Sequence, residues 1–170
     1  MLVIGIDPGL TGALAMISHK GLQAVHDMPT MIKGNGEGAV KNQVDPGALV
    51  DVLRAWKAGH DNHEFMVLIE SQGPVRLPGN KILGGASAFS LAYTAGVIEG
   101  VITALKLPRE LVTPSVWKKA LGLTAKGTDK KALARAMAQR YYPEADIHRV
   151  RDHNRAEAIL IARYGYDKHA

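Results

Sequence analysis

The amino-acid sequence predicts an α/β domain built on a mixed five-stranded sheet flanked by helices, and three observations carry that expectation. Three short apolar runs, LVIGI, ALAMI and LQAVHDM, are separated by Gly-containing turns of hairpin length and read as an antiparallel meander, strands 1–3. Two further apolar runs, FMVLIES and the shorter ELVT, are each preceded by a helical stretch, which gives the order strands, helix, strand, helix, strand, helices. A length of 170 residues with 46% hydrophobic and 22% charged residues fits one globular domain spanning residues 1–170.

The first strand delivers Asp7 into a Gly- and Pro-rich turn, DPGLTG, that leads straight into the second. Asp, Pro and Gly are ordinary turn residues, so the acid has three readings: a hairpin former, a metal ligand at a strand end, or part of a phosphate loop in which Gly9, Thr11 and Gly12 expose backbone N–H groups. Residues 29–44, with three glycines, two lysines and no periodicity, read as a mobile loop. Asp45 and Pro46 then form an N-cap and first helical position, and Leu49, Val50, Leu53 and Trp56 repeat at helical spacing up to Gly59.

FMVLIES has the continuous apolar character of a buried strand and carries Glu70 near its end. The stretch from Ser71 to Gly85, with Arg76 and Lys81 among its prolines and glycines, is long for a connection. From Ala86 to Leu107 the abundance of Ala, Leu, Ile and Val predicts a long, largely buried helix in which Gly96 and Gly100 allow a neighbour to approach closely. ELVT is a short strand ended by Pro114, and SVWKKAL a brief helix. Thr128 is placed to cap a basic amphipathic helix, DKKALARAMAQRYY, stopped by Pro143, and a last helix runs roughly from Asp152 to Tyr164.

Composition narrows the chemistry. No apolar run reaches the ~18 residues that cross a bilayer, and Asp7 follows the start too closely for a signal peptide, so a cytoplasmic protein with no membrane partner is expected. The absence of cysteine removes disulfides, thiolate metal sites and cysteine nucleophiles, leaving oxygen and nitrogen ligands that favour hard cations. The formal charge is +5, and it is uneven: residues 1–105 carry 7 Lys and Arg against 9 Asp and Glu, residues 106–170 carry 14 against 7. Contacts to a polyanion are therefore expected in the C-terminal third.

Asp7 and Glu70 share a position, each at the C-terminal end of a core-type strand. If the two strands are parallel neighbours, both carboxylates emerge at one sheet edge, where their mutual repulsion is costly unless a cation offsets it. A third acidic cluster opens the last helix in RDHNRAEAILIA. His153 and Glu157 stand at i,i+4 and Asn154 and Glu157 at i,i+3, so the three share a face, and Asp152 can bend toward it from an N-cap position. The competing reading leaves Asp152 a simple cap and pairs Glu157 with Arg151 or Arg155 on a solvated face. The apolar run AILIA directly after Glu157 favours a buried helix instead.

Taken together, GIDPGLTGALA, VLIESQ, GGASAFSLAYTAG, TPSVWKKALGL and DHNRAEAILIARYG resemble, in order over most of the chain, the RuvC family of Holliday-junction resolvases, most of all its phage and organellar-type members. The resemblance implies a ribonuclease H-like fold, a homodimer, and Mg²⁺- or Mn²⁺-dependent cutting of four-way DNA junctions by paired nicks, with two ions per active site. It implies Asp7, Glu70 and Glu157 as metal-binding and catalytic acids, the last standing where relatives more often have Asp. The fourth ligand, Asp or His in relatives, falls among Asp152, His153 and Asn154, in that order of preference. Lys118 resembles a lysine beside the scissile phosphate, and Lys130 or Lys131 a second basic position.

Candidate contacts to branched DNA are Arg76, Lys81, Lys118, Lys119, Lys126, Lys130, Lys131 and Arg135. Phe89 resembles an aromatic residue that works at the junction's unpaired centre. Trp56 and Trp117 read as core or interface. Two rival functions remain, beside a nuclease whose substrate is a flap, a replication fork or an RNA–DNA hybrid. Actin-like kinases and ATPases use a similar Asp-x-Gly-x-Thr hairpin but need a second domain and a nucleotide, so no nucleotide cofactor is expected here. A branched-DNA-binding protein that has lost a ligand is the other, suggested by Asn154.

Overall fold

A computed structural model describes residues 1–34, 42–60, 62–71, 76–77, 81–82, 85–124 and 129–170. The opening meander forms as expected: β1 (Leu2–Asp7), β2 (Ala13–Ser18) and β3 (Gly21–Asp27) are antiparallel neighbours. Two short strands follow, β4 (Thr30–Ile32) and β5 (Asn42–Val44), then helix α1 (Pro46–Ala58) and strand β6 (Phe65–Glu70). The hairpin strands β7 (Arg76–Leu77) and β8 (Lys81–Ile82) precede α2 (Gly85–Ala104) and β9 (Arg109–Val112). The chain closes with α3 (Pro114–Ala120), α4 (Lys130–Tyr141), a 3₁₀ turn at Val150–Asp152 and α5 (His153–His169).

Among the described residues one five-stranded sheet runs in the order β3-β2-β1-β6-β9, with β6 parallel to both β1 and β9. Alternation along its strands sends successive side chains to opposite faces. Leu2, Ile4 and Ile6 of β1 pack with Val67 and Ile69 against Leu49 and Leu53 of α1 and Ile98 and Ile102 of α2. Val3 and Leu68 pack on the other face with Trp117 of α3, Ala134 and Ala138 of α4, and the apolar run Ala158–Ala162 of α5.

Several expectations need correction. The stretch 29–44 is not uniformly irregular: its ends pair as the β4–β5 sheet, with Thr30 opposite Val44, while 35–41 lie outside the described residues. The cap of α4 is Asp129, whose carboxylate accepts the N–H groups of Lys131 and Ala132; Thr128 lies outside the described residues. Helix α2 is only partly covered. Thr94, Ile98, Val101 and Ile102 are buried, but Phe89 and Tyr93 are exposed, and among the described residues no atom beyond the surrounding turns of α2 itself stands within 4 Å of where a Cβ on Gly96 or Gly100 would sit. Its composition is apolar all round because one face covers the sheet and another is left open in the single chain, a difference that composition cannot distinguish.

Candidate active site at the sheet edge

The parallel register of β1 and β6 runs from Leu2 beside Phe65 to Ile6 beside Ile69, so Asp7 and Glu70 come next on neighbouring strands. Alternation places Asp7 on the face of Val3 and Gly5, and Glu70 on that of Leu68, which is the face covered by α5. The approach of α5 depends on Gly5: a Cβ there would lie 2.3 Å from the Ala158 carbonyl oxygen and 2.3 Å from the Ala162 nitrogen. A glycine in a central strand lets the helix backbone touch the sheet, and Glu157, one residue before Ala158, arrives beside Asp7.

Both strand-end acids are buried, each 8% exposed, although unpaired carboxylates are expensive there. Trp117 supplies one partner, its indole N–H donating to Glu70 Oε1 at 2.8 Å from a fully buried ring. The sequence reading of Trp117 as core was right but incomplete. The available signal was that a buried indole N–H needs an acceptor, and an acid at the end of a neighbouring strand is an obvious one. Asp7 has no side-chain hydrogen bond among the described residues; Lys118 instead donates from Nζ to Glu157 Oε1 at 2.8 Å, with its ammonium 4.9 Å from the Trp117 ring centroid. The adjacent pair Trp117 and Lys118 thus serves two of the three acids.

Burial first, then the charges of Glu157 and Glu70, push the Asp7 carboxyl up from an ordinary 3.8 to about 7, against the opposing pull of Lys118. Burial also raises Glu70, with the Trp117 hydrogen bond and Lys118 pulling it back. Carboxylates crowded in this way repel one another, a cost that a cation between them would offset. Asp7, Glu70 and Glu157 offer oxygen donors of the kind that suit Mg²⁺ or Mn²⁺. They do not yet form a closed cage: among the described residues no three His, Asp or Glu side chains stand at metal-binding spacing, and Glu157 is turned to Lys118.

The fourth position is different. Asp152 is 3% exposed and faces Arg149, accepting its backbone N–H at 2.8 Å and its guanidinium at 2.9–3.1 Å. Burial works to raise its pKa, but these bonds prevail and hold the carboxyl below its ordinary value. His153 Nδ1 stands 3.3 Å from the Val150 carbonyl oxygen. Asn154 donates from Nδ2 to the Thr11 carbonyl, tying the β1–β2 turn to the start of α5. The structure therefore brings Asp7, Glu70, Glu157 and Lys118 together and engages Asp152, His153 and Asn154 elsewhere. The solvated-face alternative for Glu157 fails as well, since Arg155 is committed to Asp27 at 2.6 and 2.7 Å.

The turn itself decides between two readings of Asp7. Gly9 N–H donates to the Asp7 carbonyl at 3.0 Å and Gly12 N–H to the Gly9 carbonyl at 2.9 Å, so both are used inside the turn and neither cradles a phosphate. A Cβ on Gly12 would come within 2.0 Å of the Asp7 carbonyl oxygen, which makes this glycine a condition of the turn.

Next to the acids lies a cleft of about 520 Å³ lined by Pro114, Ser115, Lys118, Lys119, Leu123, Thr124 and Lys130, three lysines with no carboxylate among its lining residues. Lys131 is exposed in the first turn of α4, whereas the Arg135 Nε is enclosed with no partner among the described residues, so Arg135 is not presented as its neighbours are. Arg76 and Lys81 are placed on β7 and β8, their side chains outside the described set, and Lys126 lies outside the described residues. Phe89 is 69% exposed on α2 and stacks on Tyr93 with centroids 6.3 Å apart.

These features define an α/β domain with an acidic centre at the ends of two parallel strands, and the fold has solved counterparts. The chain superposes on T. thermophilus RuvC in complex with Holliday junction substrate with a TM-score of 0.64 and 20% identity, covering 96% of this chain and 92% of that one. A second Thermus thermophilus RuvC structure gives a TM-score of 0.50 and 19% identity over 99% of this chain and 96% of that one. The fold is that of RuvC. No known family model matches the sequence, and no curated protein sequence does.

Proposed function

We propose that the chain is a divalent-metal-dependent endonuclease that resolves four-way DNA junctions. The observation that carries the reading is the convergence of Asp7, Glu70 and Glu157 from β1, β6 and α5, with Lys118 among them and a lysine-lined cleft alongside. The RuvC structure solved with a Holliday junction shares this fold, which supports branched DNA as the substrate class. Asp7, Glu70 and Glu157 would hold the divalent cations, which when bound activate water and stabilise the leaving oxygen of a phosphodiester.

This chain's residues do the rest. Trp117 fixes one oxygen of Glu70, and the other has no hydrogen-bond partner among the described residues. Lys118, on a flexible stem, neutralises Glu157 and can move to the charge that develops on the phosphate. Lys119, Lys130 and Lys131 give the DNA backbone its positive surface, with Arg76, Lys81 and Lys126 as further candidates. Cleavage leaves a 5′-phosphate and a 3′-hydroxyl. A homodimer would supply two such centres for paired nicks, and the open stripe Phe89, Tyr93, Gly96 and Gly100, at i, i+4, i+7 and i+11 of α2, is a face on which a second copy can pack.

The test is a labelled synthetic four-way junction, a flap and a linear duplex, each incubated with Mg²⁺, Mn²⁺ or EDTA. Symmetric metal-dependent nicks on the junction, lost in Asp7→Asn and Glu70→Gln, are expected. Cutting by those variants at the wild-type rate removes the proposed centre. A second reading, a branched-DNA-binding protein without cleavage, is favoured by the engagement of Asp152 and Asn154 away from the acids. It predicts tight junction binding and no cutting with either metal.

A further inference from the structure

Across the β1–β2 turn from the lysine cleft lies a second cavity, of about 400 Å³, whose walls include Thr11, Gly12, Asp27, Arg149, Arg151 and Arg155. The sheet order puts the two on opposite flanks of the acids: the lysine cleft follows β9 through α3, and this cavity abuts the end of β3. A strand lying across Asp7 and Glu70 and leaving the lysines must pass over Thr11 and Gly12 into it. A phosphodiester cut in the middle has a backbone on both sides, so a contact is needed on each flank.

The charges in this cavity are arranged unequally. Arg155 spends Nε and one terminal nitrogen on Asp27, at 2.6 and 2.7 Å, and its other terminal nitrogen on Asp146, 3.4 Å from the carbonyl oxygen and 3.6 Å from the carboxylate. Arg149 uses Nε and one terminal nitrogen on Asp152, leaving its other terminal nitrogen free among the described residues, and its side chain is 47% exposed. Arg151 is exposed and has no ion pair among the described residues. Asp152 needs an explanation, because a carboxylate under an exposed arginine gives up solvation for little stability. It grips Arg149 at both guanidinium and backbone N–H, which fixes the guanidinium in one orientation and leaves its remaining terminal nitrogen held outward to meet a phosphate.

The structure assigns this cavity as a second backbone-phosphate site of the same DNA strand, with Arg149 and Arg151 as its ligands and Asp152 as the residue that positions Arg149. The inference rests on the junction-resolving reading. It removes Asp152 from the metal ligands and gives it a different task on the same substrate.

Affinity for the labelled junction is measured in EDTA over a range of salt for wild type, Arg149→Ala, Arg151→Ala and Asp152→Asn. Each arginine variant is expected to bind several-fold more weakly and to flatten the slope of log affinity against log salt by ~0.9. Ethylation interference should vanish at phosphates on the side of the cut opposite those silenced by Lys119→Ala and Lys130→Ala.

Asp152→Asn sets the signs against each other. Losing a negative charge strengthens DNA binding if Asp152 acts only through its charge, and weakens it, non-additively with Arg149→Ala, if it aims the arginine. Unchanged slopes in both arginine variants, with melting temperatures kept, overturn the site while wild-type junction cutting leaves the functional reading intact. Tighter binding by Asp152→Asn overturns the positioning role. A wild type that neither prefers nor cuts the junction fails the underlying reading instead.

Discussion

The two faces of the sheet are packed by different means. Toward α1 and α2, β1 presents Leu2, Ile4 and Ile6, and the contact is side chain against side chain. Toward α5 it presents Val3, Gly5 and Asp7, and at Gly5 the helix backbone lies against the strand itself. Large side chains keep a helix at a distance and can rearrange when one is trimmed. A backbone contact through glycine has no such slack. The face that carries the three acids is the one without slack, because acids on three elements must be held within reach of one another.

The sharpest way to break this contrast is Gly5→Ala. Its Cβ would meet backbone atoms that cannot move without shifting α5, so a loss of about 3 kcal/mol or more is expected, with Mn²⁺ binding lost as Glu157 is displaced. The matched change on the other face, Ile4→Val, should cost only about 1 kcal/mol and leave metal binding alone. Thermal melts with calorimetric Mn²⁺ titrations read both. Equal costs would show the two faces to be packed alike.

The next largest effect concerns Asp7 and pH. Its folded pKa of about 7 lies above the ordinary 3.8 of the unfolded chain, so between these values the folded state retains a proton that the unfolded state has lost. Stability of the metal-free protein should therefore fall as pH rises from about 4 to about 7 and level off above that. Asp7→Asn should remove this decline and melt higher than wild type at pH 8 in EDTA, while losing the proposed cleavage. Melting curves across pH check the sign, and a wild-type curve that rises over the same window would contradict the account.

Trp117→Phe keeps most of the buried ring and removes the donor to Glu70. Leaving that buried carboxylate short of a partner should cost about 2 kcal/mol and raise the Glu70 pKa further, weakening metal binding near neutrality more than at pH 8.5. The smallest effect belongs to Asn154. Asn154→Ala should cost about 1 kcal/mol and speed amide exchange at Gly9 and Gly12 in EDTA, because the turn loses its tie to α5. Asn154→Asp should do the same, since a carboxylate cannot donate to the Thr11 carbonyl. If Asn154→Asp instead binds Mn²⁺ tighter than wild type with the turn amides unchanged, the position is a ligand site and not a tie.

Much of this centre was legible in the sequence, for a local reason. Strand alternation and core-type apolar runs are properties of a few consecutive residues, and they were enough to place Asp7 and Glu70 at one edge once the strands were taken as parallel neighbours. The apolar run AILIA directly after Glu157 similarly marked α5 as a buried helix. The extra strands β4, β5, β7 and β8 were missed because each spans only two or three residues, too short for periodicity to register.

What the chain alone left open was the use of each polar side chain whose partner is remote. Asp152, His153 and Asn154 all compete for the fourth ligand on paper, with Asp152 preferred. Arg149 claims the first, while Asn154 meets Thr11 across 143 positions of sequence. Gly5 looked like one more small residue until a helix backbone arrived against it from the far end of the chain. By itself, then, the sequence determined the sheet, its two apolar faces and the pair of acids at the strand ends, because those follow from patterns within single elements. The third acid's partner, the tie at Asn154 and the redirection of Asp152 were decided by tertiary structure, since a hydrogen bond goes to whichever partner folding brings within 3 Å.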